Sequence, residues 1–243
     1  MGKSFSFQLV FEFIVKLVPF IPISFFGILC SALALGIVIG FLVALTRIYN
    51  IAVLKQLSYV YLSFMRGTPA LVQLFIIYFG LPQILYLFGI DLRRANPLLF
   101  VVIAFGLNWS ATISEIIRGA VNAVSYNQIE AAYSIGMSSA TMFRRVLFPQ
   151  ALEVAVPNFF NLVYAALKNT TLAFSVGVVE LMSRGKILGA NVNHQFEAYI
   201  ALGIIYYAMY VIMSKLFGIV EKRLSRHRQE GNVAGSGQEE VAA

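Results

Sequence analysis

The chain has 243 residues, of which 59% are hydrophobic and only 12% charged, with a formal net charge of +7 and a mean hydropathy of +0.80. Soluble domains carry roughly 25% charged residues, so this much apolar surface needs lipid as its solvent, and soluble enzymes, disordered chains and fibrous proteins do not fit. The single cysteine, Cys30, excludes a disulfide framework and a multi-cysteine metal site; inside an apolar run it reads as a small buried hydrophobe.

A membrane helix needs about 20 mainly apolar residues. The first span is expected over Ile21–Leu45, entered through Pro19 and Pro22. Its length exceeds a signal-peptide core and no small-residue cleavage site follows, so it reads as a mature span. The second covers Leu57–Phe88, too long for one plain span, and Arg66-Gly67-Thr68-Pro69 interrupts it. The third runs from Pro97 to Gly119, with proline in the first turn where a missing N–H costs little. The fourth is expected over Val156–Met182, with Lys168 to Thr171 near its middle, and the fifth over Ala198–Val220. The stretch between the last two, with Arg184, Lys186 and His194, reads as an outer loop.

Five spans put the two ends on opposite sides, so charge selects the orientation. With the C-terminus inside, eleven of the 18 basic residues lie on the inner side, among them Arg47, Lys55, Arg118, Arg144, Arg145, Lys215 and Lys222. Six lie outside (Lys3, Lys16, Arg93, Arg94, Arg184, Lys186), and Lys168 stays at membrane depth. The positive-inside rule gives N-terminus out and C-terminus in. This scatter of basic residues fits membrane loops better than a nucleic-acid surface. Residues 1–225 form one transmembrane domain; residues 226–243, poor in large apolar side chains, read as a disordered cytoplasmic tail.

Between spans three and four lie about 35 residues, Val121 to Ala155, too polar for lipid and patterned as helices. A first helix around Gln128–Ile135 is closed by Gly136, which adopts a left-handed cap without strain. Ser138 and Ser139 cap a second, Ala140–Leu147, with Pro149 behind it. Small Ala131 and Ala132 would let a partner approach, and Arg144 and Arg145 supply charge. A loop this long with helices of its own is usually functional rather than a plain connection.

Glu130-Ala131-Ala132, three residues, Gly136, nine residues and Val146-Leu147-Phe148-Pro149 resemble the EAA loop of ABC importer permeases, with Val146 and Phe148 departing mildly from the usual Ile-x-Leu-Pro ending. Together with Arg66-Gly67-Thr68-Pro69, Ser114-Glu115-Ile116-Ile117-Arg118-Gly119, Pro149-Gln150-Ala151-Leu152 and Leu167-Lys168-Asn169-Thr170-Thr171-Leu172, they are similar to the polar amino-acid branch, the histidine/glutamine/arginine/cystine type. The resemblance covers about Ser58 to Glu180 and implies an all-α integral membrane protein of a bacterial cell membrane. It further implies a second permease subunit, an ABC ATPase docked through Glu130, Ala131, Ala132, Gly136, Arg144, Arg145 and Pro149, and an extracytoplasmic amino-acid-binding protein. ATP and magnesium would sit on the partner, since this chain has no Gly-rich phosphate loop and needs no cofactor of its own.

Within the membrane, Lys168 carries the most information, because a charge at that depth costs several kcal/mol unless paired or hydrated. Asn169, Thr170 and Thr171 beside it form a polar patch that serves a pathway or breaks the helix. On the third span Asn108, Thr112 and Glu115 share one face at spacings of four and three. Glu115 also reaches Arg118 at i+3. Arg66 and Thr68 belong to the break of span two. Apart from Arg118, these nine residues form the candidate substrate pathway. Related permeases often read Lys-Asp-Thr-Ser where this chain has Lys168-Asn169-Thr170-Thr171, so the lost carboxylate favours cystine or a neutral amino acid such as glutamine over a cationic one. The continuation Leu172–Glu180 looks closest to cystine-type permeases. A stand-alone secondary transporter or channel is the alternative; it would leave the helical loop unexplained. With His194 in an outer loop and His227 in the tail, neither a metal site nor a membrane protease is expected.

Overall fold

The computed structural model describes the backbone of residues 5–239 and the side chains of residues 5–224; the expected disordered tail, residues 226–243, lies outside the described side chains. Among the described residues all regular structure is helical. In chain order these are α1 (Phe7–Leu17), α2 (Ile23–Ile48), α3 (Ala52–Gly67), α4 (Ala70–Tyr86), α5 (Pro97–Asn122), α6 (Tyr126–Ser134), α7 (Ser139–Val176), α8 (Leu181–Val192) and α9 (Gln195–Glu239). Helices α2, α5, α7 and α9 are each long and apolar enough to span a membrane, and α3 with α4 makes a fifth candidate bent by 112°. The chain divides into two compact units: residues 1–118 with 162–208, and residues 119–161 with 209–243.

In the first unit α2 and α5 approach through small residues. A Cβ on Gly40 would lie 2.7 Å from the Ser110 carbonyl oxygen and 2.9 Å from Ile113, and one on Gly106 would meet Leu35 at 2.7 Å. Between membrane helices such contact replaces the hydrophobic effect that lipid removes. Gly40→Val should therefore lower stability by about 1–3 kcal/mol through overpacking, read as a lower unfolding temperature in detergent. Gly203→Val, whose Cβ would meet nothing within 4 Å, is the matched control; equal losses in both would show that the close approach is irrelevant.

The bend between α3 and α4 follows from proline. Thr68 (φ −117°, ψ 148°) and Pro69 (φ −64°, ψ 137°) are extended, as a residue preceding proline prefers. The start of α2 is π-helical over Ile23–Cys30, and the Ser31 hydroxyl donates to the Phe26 carbonyl, 2.9 Å, taking up one backbone oxygen there.

Two short helices escape a reading by apolar runs. α1 buries Val10, Phe13 and Leu17 against α8. The region expected as an outer loop is instead α8, closed by Asn193 in the left-handed conformation. Its Gly185 and Gly189 pack so tightly that added Cβ atoms would meet Leu202 at 2.6 Å and Ala198 at 2.9 Å. His194, just after this helix, is mostly buried with Nδ1 2.7 Å from Glu197 Oε1.

In the second unit Ala120, Val124 and Ala151 form a small core flanked by Leu147 and Ala155, and Phe160 stacks on Phe217 with ring centroids 3.8 Å apart. The sequence pattern ends a short helix before Pro149 and begins span four at Val156; both are corrected. α7 is 38 residues long and passes through Pro149 and Pro157. A π-helical turn over Phe143–Leu147 precedes the first proline. Each proline is followed by an amide that donates back four residues, Gln150 to Val146 O (3.0 Å) and Asn158 to Val154 O (2.9 Å). Pro149 falls in the first α-helical turn after the π-helical stretch, where a missing N–H costs little. Span four also ends earlier than expected, at Val176 rather than Met182.

Candidate functional site

The polar residues of the first unit form three groups. At the bend of the second span, Gln73, almost fully buried, donates from Nε2 to Met65 O (3.0 Å), Thr68 O (3.1 Å) and Thr68 Oγ1 (2.7 Å). These are acceptors that the broken helix cannot serve itself. Asn108 in turn donates to Gln73 Oε1 at 2.9 Å. Asn108, expected to line a pathway, thus braces the bend, and Thr68 is engaged in the same network. Arg66 is exposed beside it and Thr112 is exposed on α5.

The second group is ionic. Glu115 pairs with Arg118 (2.9 Å) and with Arg47. The Arg118 pair was legible at i+3; Arg47 lies 68 residues away and gave no local signal. Arg47 also stacks over the Tyr59 ring, 4.8 Å from its centroid. Arg47, Tyr59 and Glu115, with Leu62, Ser63, Arg66 and Gly67, line a cavity of about 530 Å³.

The third group is the polar stretch of α7. The α-helix ends at Asn169, a 3₁₀ segment follows over Thr170–Val176, and Gly177 (φ +83°) ends it. Lys168 is exposed and Asn169 half-buried, so these two face outward from the unit. Thr170 does not: it is fully buried, and its hydroxyl donates to Leu167 O at 2.7 Å. Thr171 bonds back likewise to Lys168 O, 2.8 Å. The pattern of four consecutive polar residues therefore overstated the patch, because a helical turn points successive side chains in different directions.

Just beyond lies a junction that the sequence pattern does not reveal. Glu180 is fully buried and caps α8, accepting from Met182 N (2.9 Å) and Ser183 N (2.9 Å). Ser24 Oγ donates to its Oε2 at 3.2 Å and accepts from Leu181 N at 3.2 Å. Glu180 lies between the spans, and burial pushes its carboxyl above the ordinary range while the two N–H bonds and the Ser24 hydroxyl pull it back. Glutamate is not a favoured N-cap residue, so no capping signature marked it.

The second unit carries the loop. α6 ends in Gly136 (φ +81°), and Ser138 accepts from Thr141 N, 3.4 Å, to start α7. Glu130, Ala131, Ser134 and Gly136 are exposed, with Tyr133 46% and Ile135 73% exposed around them. Ala132, expected on the partner-facing side, is instead buried. Arg144 and Arg145 with Ala140 and Thr141 line a second cavity of about 210 Å³, and Pro149 is exposed. Apolar side chains are thus held out on a short helical turn, and the adjacent guanidiniums can meet carboxylates.

Residues 36–226 match the family described as binding-protein-dependent transport system inner membrane component. The chain is 43% identical over 228 residues to the L-cystine transport system permease protein TcyL of Bacillus subtilis (strain 168), covering 94% of this chain and 95% of that protein. Among solved structures it is similar to an amino acid ABC transporter crystallised with histidines, with TM-score 0.80 and 30% identity over 91% of this chain and 100% of that one. The inward-facing MetNI methionine ABC transporter shares the fold, with TM-score 0.62 and 18% identity, at the same coverage.

Proposed function

From the premise that the chain belongs to the family of binding-protein-dependent transport system inner membrane components, as a multi-pass permease subunit of an amino-acid ABC importer, we propose that it carries cystine or a similar neutral amino acid. The observation behind the coupling half of this reading is the exposed α6–Gly136–α7 turn. It presents Glu130, Ala131, Tyr133 and Ile135 outward. An ATPase partner hydrolyses ATP with magnesium and seats this turn; Arg144 and Arg145 flank the contact, and Pro149 closes the loop. Motion passes along α7, which starts beside the turn and whose α-helical part ends at the polar pair Lys168 and Asn169. A stand-alone transporter leaves that apolar turn without an occupant.

The chain sits with its N-terminus outside and C-terminus inside, beside a second permease subunit, and an extracytoplasmic binding protein delivers the amino acid. Lys168 and Thr112 are the exposed polar side chains of the pathway, with Asn169 half-buried beside Lys168; Thr68, Asn108, Thr170 and Thr171 hold its walls, and Arg66 and Glu115 flank it on the inner side. The lysine receives the substrate carboxylate, while the Asn169 amide offers no anion to a cationic side chain. The likeness to an L-cystine permease supports the same substrate class.

Competitive uptake of labelled cystine, glutamine, glutamate, arginine and histidine, in cells with and without this chain and with ATP depleted as control, tests the proposal. ATP-dependent cystine or glutamine uptake should disappear with the chain. Loss of arginine or histidine uptake instead would refute the reading of Asn169 while leaving an importer.

A further inference from the structure

The cavity beside Glu115 has more positive charge than its carboxylate balances. Arg47 and Arg66 line it with a single acid, Glu115, which is shared between Arg47 and Arg118, and among the described residues no carboxylate pairs with Arg66. Arg47, only 8% exposed, is held by Glu115, so the surplus charge on the cavity wall is carried by Arg66. Surplus positive charge on a cavity wall calls for an anion. The Ser63 and Tyr59 side chains on the same wall add hydroxyl donors suited to phosphate oxygens.

The surroundings identify the kind of anion. On α3 the exposed Val53, Leu57, Val60 and Phe64 recur at spacings of four, three and four and form one apolar stripe. Tyr59 and Arg66 lie on another face of this helix, so acyl chains reach the stripe within one helix diameter, about 10–12 Å. We propose that this cavity seats the phosphate headgroup of an anionic phospholipid from the inner leaflet, with Arg66 and Arg47 as its cationic contacts. Basic pockets between helices on the cytoplasmic side are the setting in which such headgroups bind. The inner-leaflet assignment rests on the orientation proposed above.

Native mass spectrometry of the full-length permease, purified in the complex it forms, provides the test with phosphatidylglycerol and phosphatidylcholine of matched acyl chains as probes. Wild type should retain phosphatidylglycerol in preference, and Arg66→Gln should retain it roughly fivefold less, the effect of about one cationic contact with a lipid surface, with phosphatidylcholine unchanged. Arg66 is exposed, so this variant folds. Equal retention of the two lipids, or unaltered retention by Arg66→Gln, overturns the site. Displacement of the lipid by inorganic phosphate assigns a soluble anion and also overturns it. A disulfide between Ser63→Cys side chains of two permease copies in native membranes places a second subunit over the cavity, and that too overturns the lipid site. Separately, Asn50→Cys in a Cys30→Ser background should be labelled only from inside. Labelling from outside overturns the inner-leaflet assignment and leaves the lipid preference, measured in detergent, standing or falling by itself.

Discussion

Gly136→Arg should leave the permease in the membrane at close to wild-type amount and reduce ATP-driven uptake by at least tenfold. Gly136 sits at φ +81° with open space where a Cβ would be. The local penalty for a side chain there is the backbone strain alone, roughly 1–2 kcal/mol, in a turn with no core packed around it. That is too little to unfold the membrane helices. The arginine instead projects from the surface that carries Ile135 and Tyr133. Disrupting a central residue of a protein–protein contact typically costs 2 kcal/mol or more, about thirtyfold in affinity. ATP hydrolysis by the assembled transporter should then no longer rise when loaded binding protein is added. Gly136→Asn separates strain from bulk, since asparagine tolerates the left-handed conformation and is short; it should keep most of the uptake. Wild-type uptake and stimulated hydrolysis in the arginine variant would remove the turn from the docking surface.

Local chemistry made these features readable. Apolar runs longer than a helix needs for lipid marked each span, Gly136 marked the turn because few other residues adopt its backbone angles, and Thr68-Pro69 marked the bend. The ends of span four were not readable. Pro149 ordinarily stops a helix, but here it falls in the first α-helical turn after a π-helical stretch over Phe143–Leu147, an arrangement with no local code. The helices α1 and α8 are short and only partly apolar, so a hydropathy threshold passes over them. Contacts between distant segments escaped altogether: Arg47 with Glu115 and Ser24 with Glu180 are separated by 68 and 156 residues. Sequence marks which residues are polar at membrane depth, but Asn108 and Thr170 spend that polarity on the chain's own backbone and side chains, whereas Lys168 does not.

Glu180 offers the sharpest stability test. Glu180→Ala removes the acceptor for the Met182 and Ser183 N–H groups and for the Ser24 hydroxyl in a fully buried position. An orphaned buried donor costs about 1–3 kcal/mol, so losing the shared carboxylate should cost about 3 kcal/mol or more, among the larger single-site effects. In a chain of this size that lowers the unfolding temperature in detergent by roughly 6–12 °C. Glu180→Gln keeps one oxygen but turns an NH₂ group toward a backbone N–H, and should lose about 1–3 kcal/mol. The two variants also differ from wild type in their pH dependence. Burial, the larger influence, raises the Glu180 carboxyl above its ordinary value of 4.5, so the folded state holds its proton more tightly than the unfolded chain. That contribution is fully present below the ordinary value and is lost as pH rises through the folded one. Wild-type unfolding temperature should therefore fall across that window more steeply than that of Glu180→Gln, which has no proton to release there. A wild-type curve that rises instead would mean that the Met182 and Ser183 N–H groups outweigh burial, and that the junction is held by the carboxylate's charge.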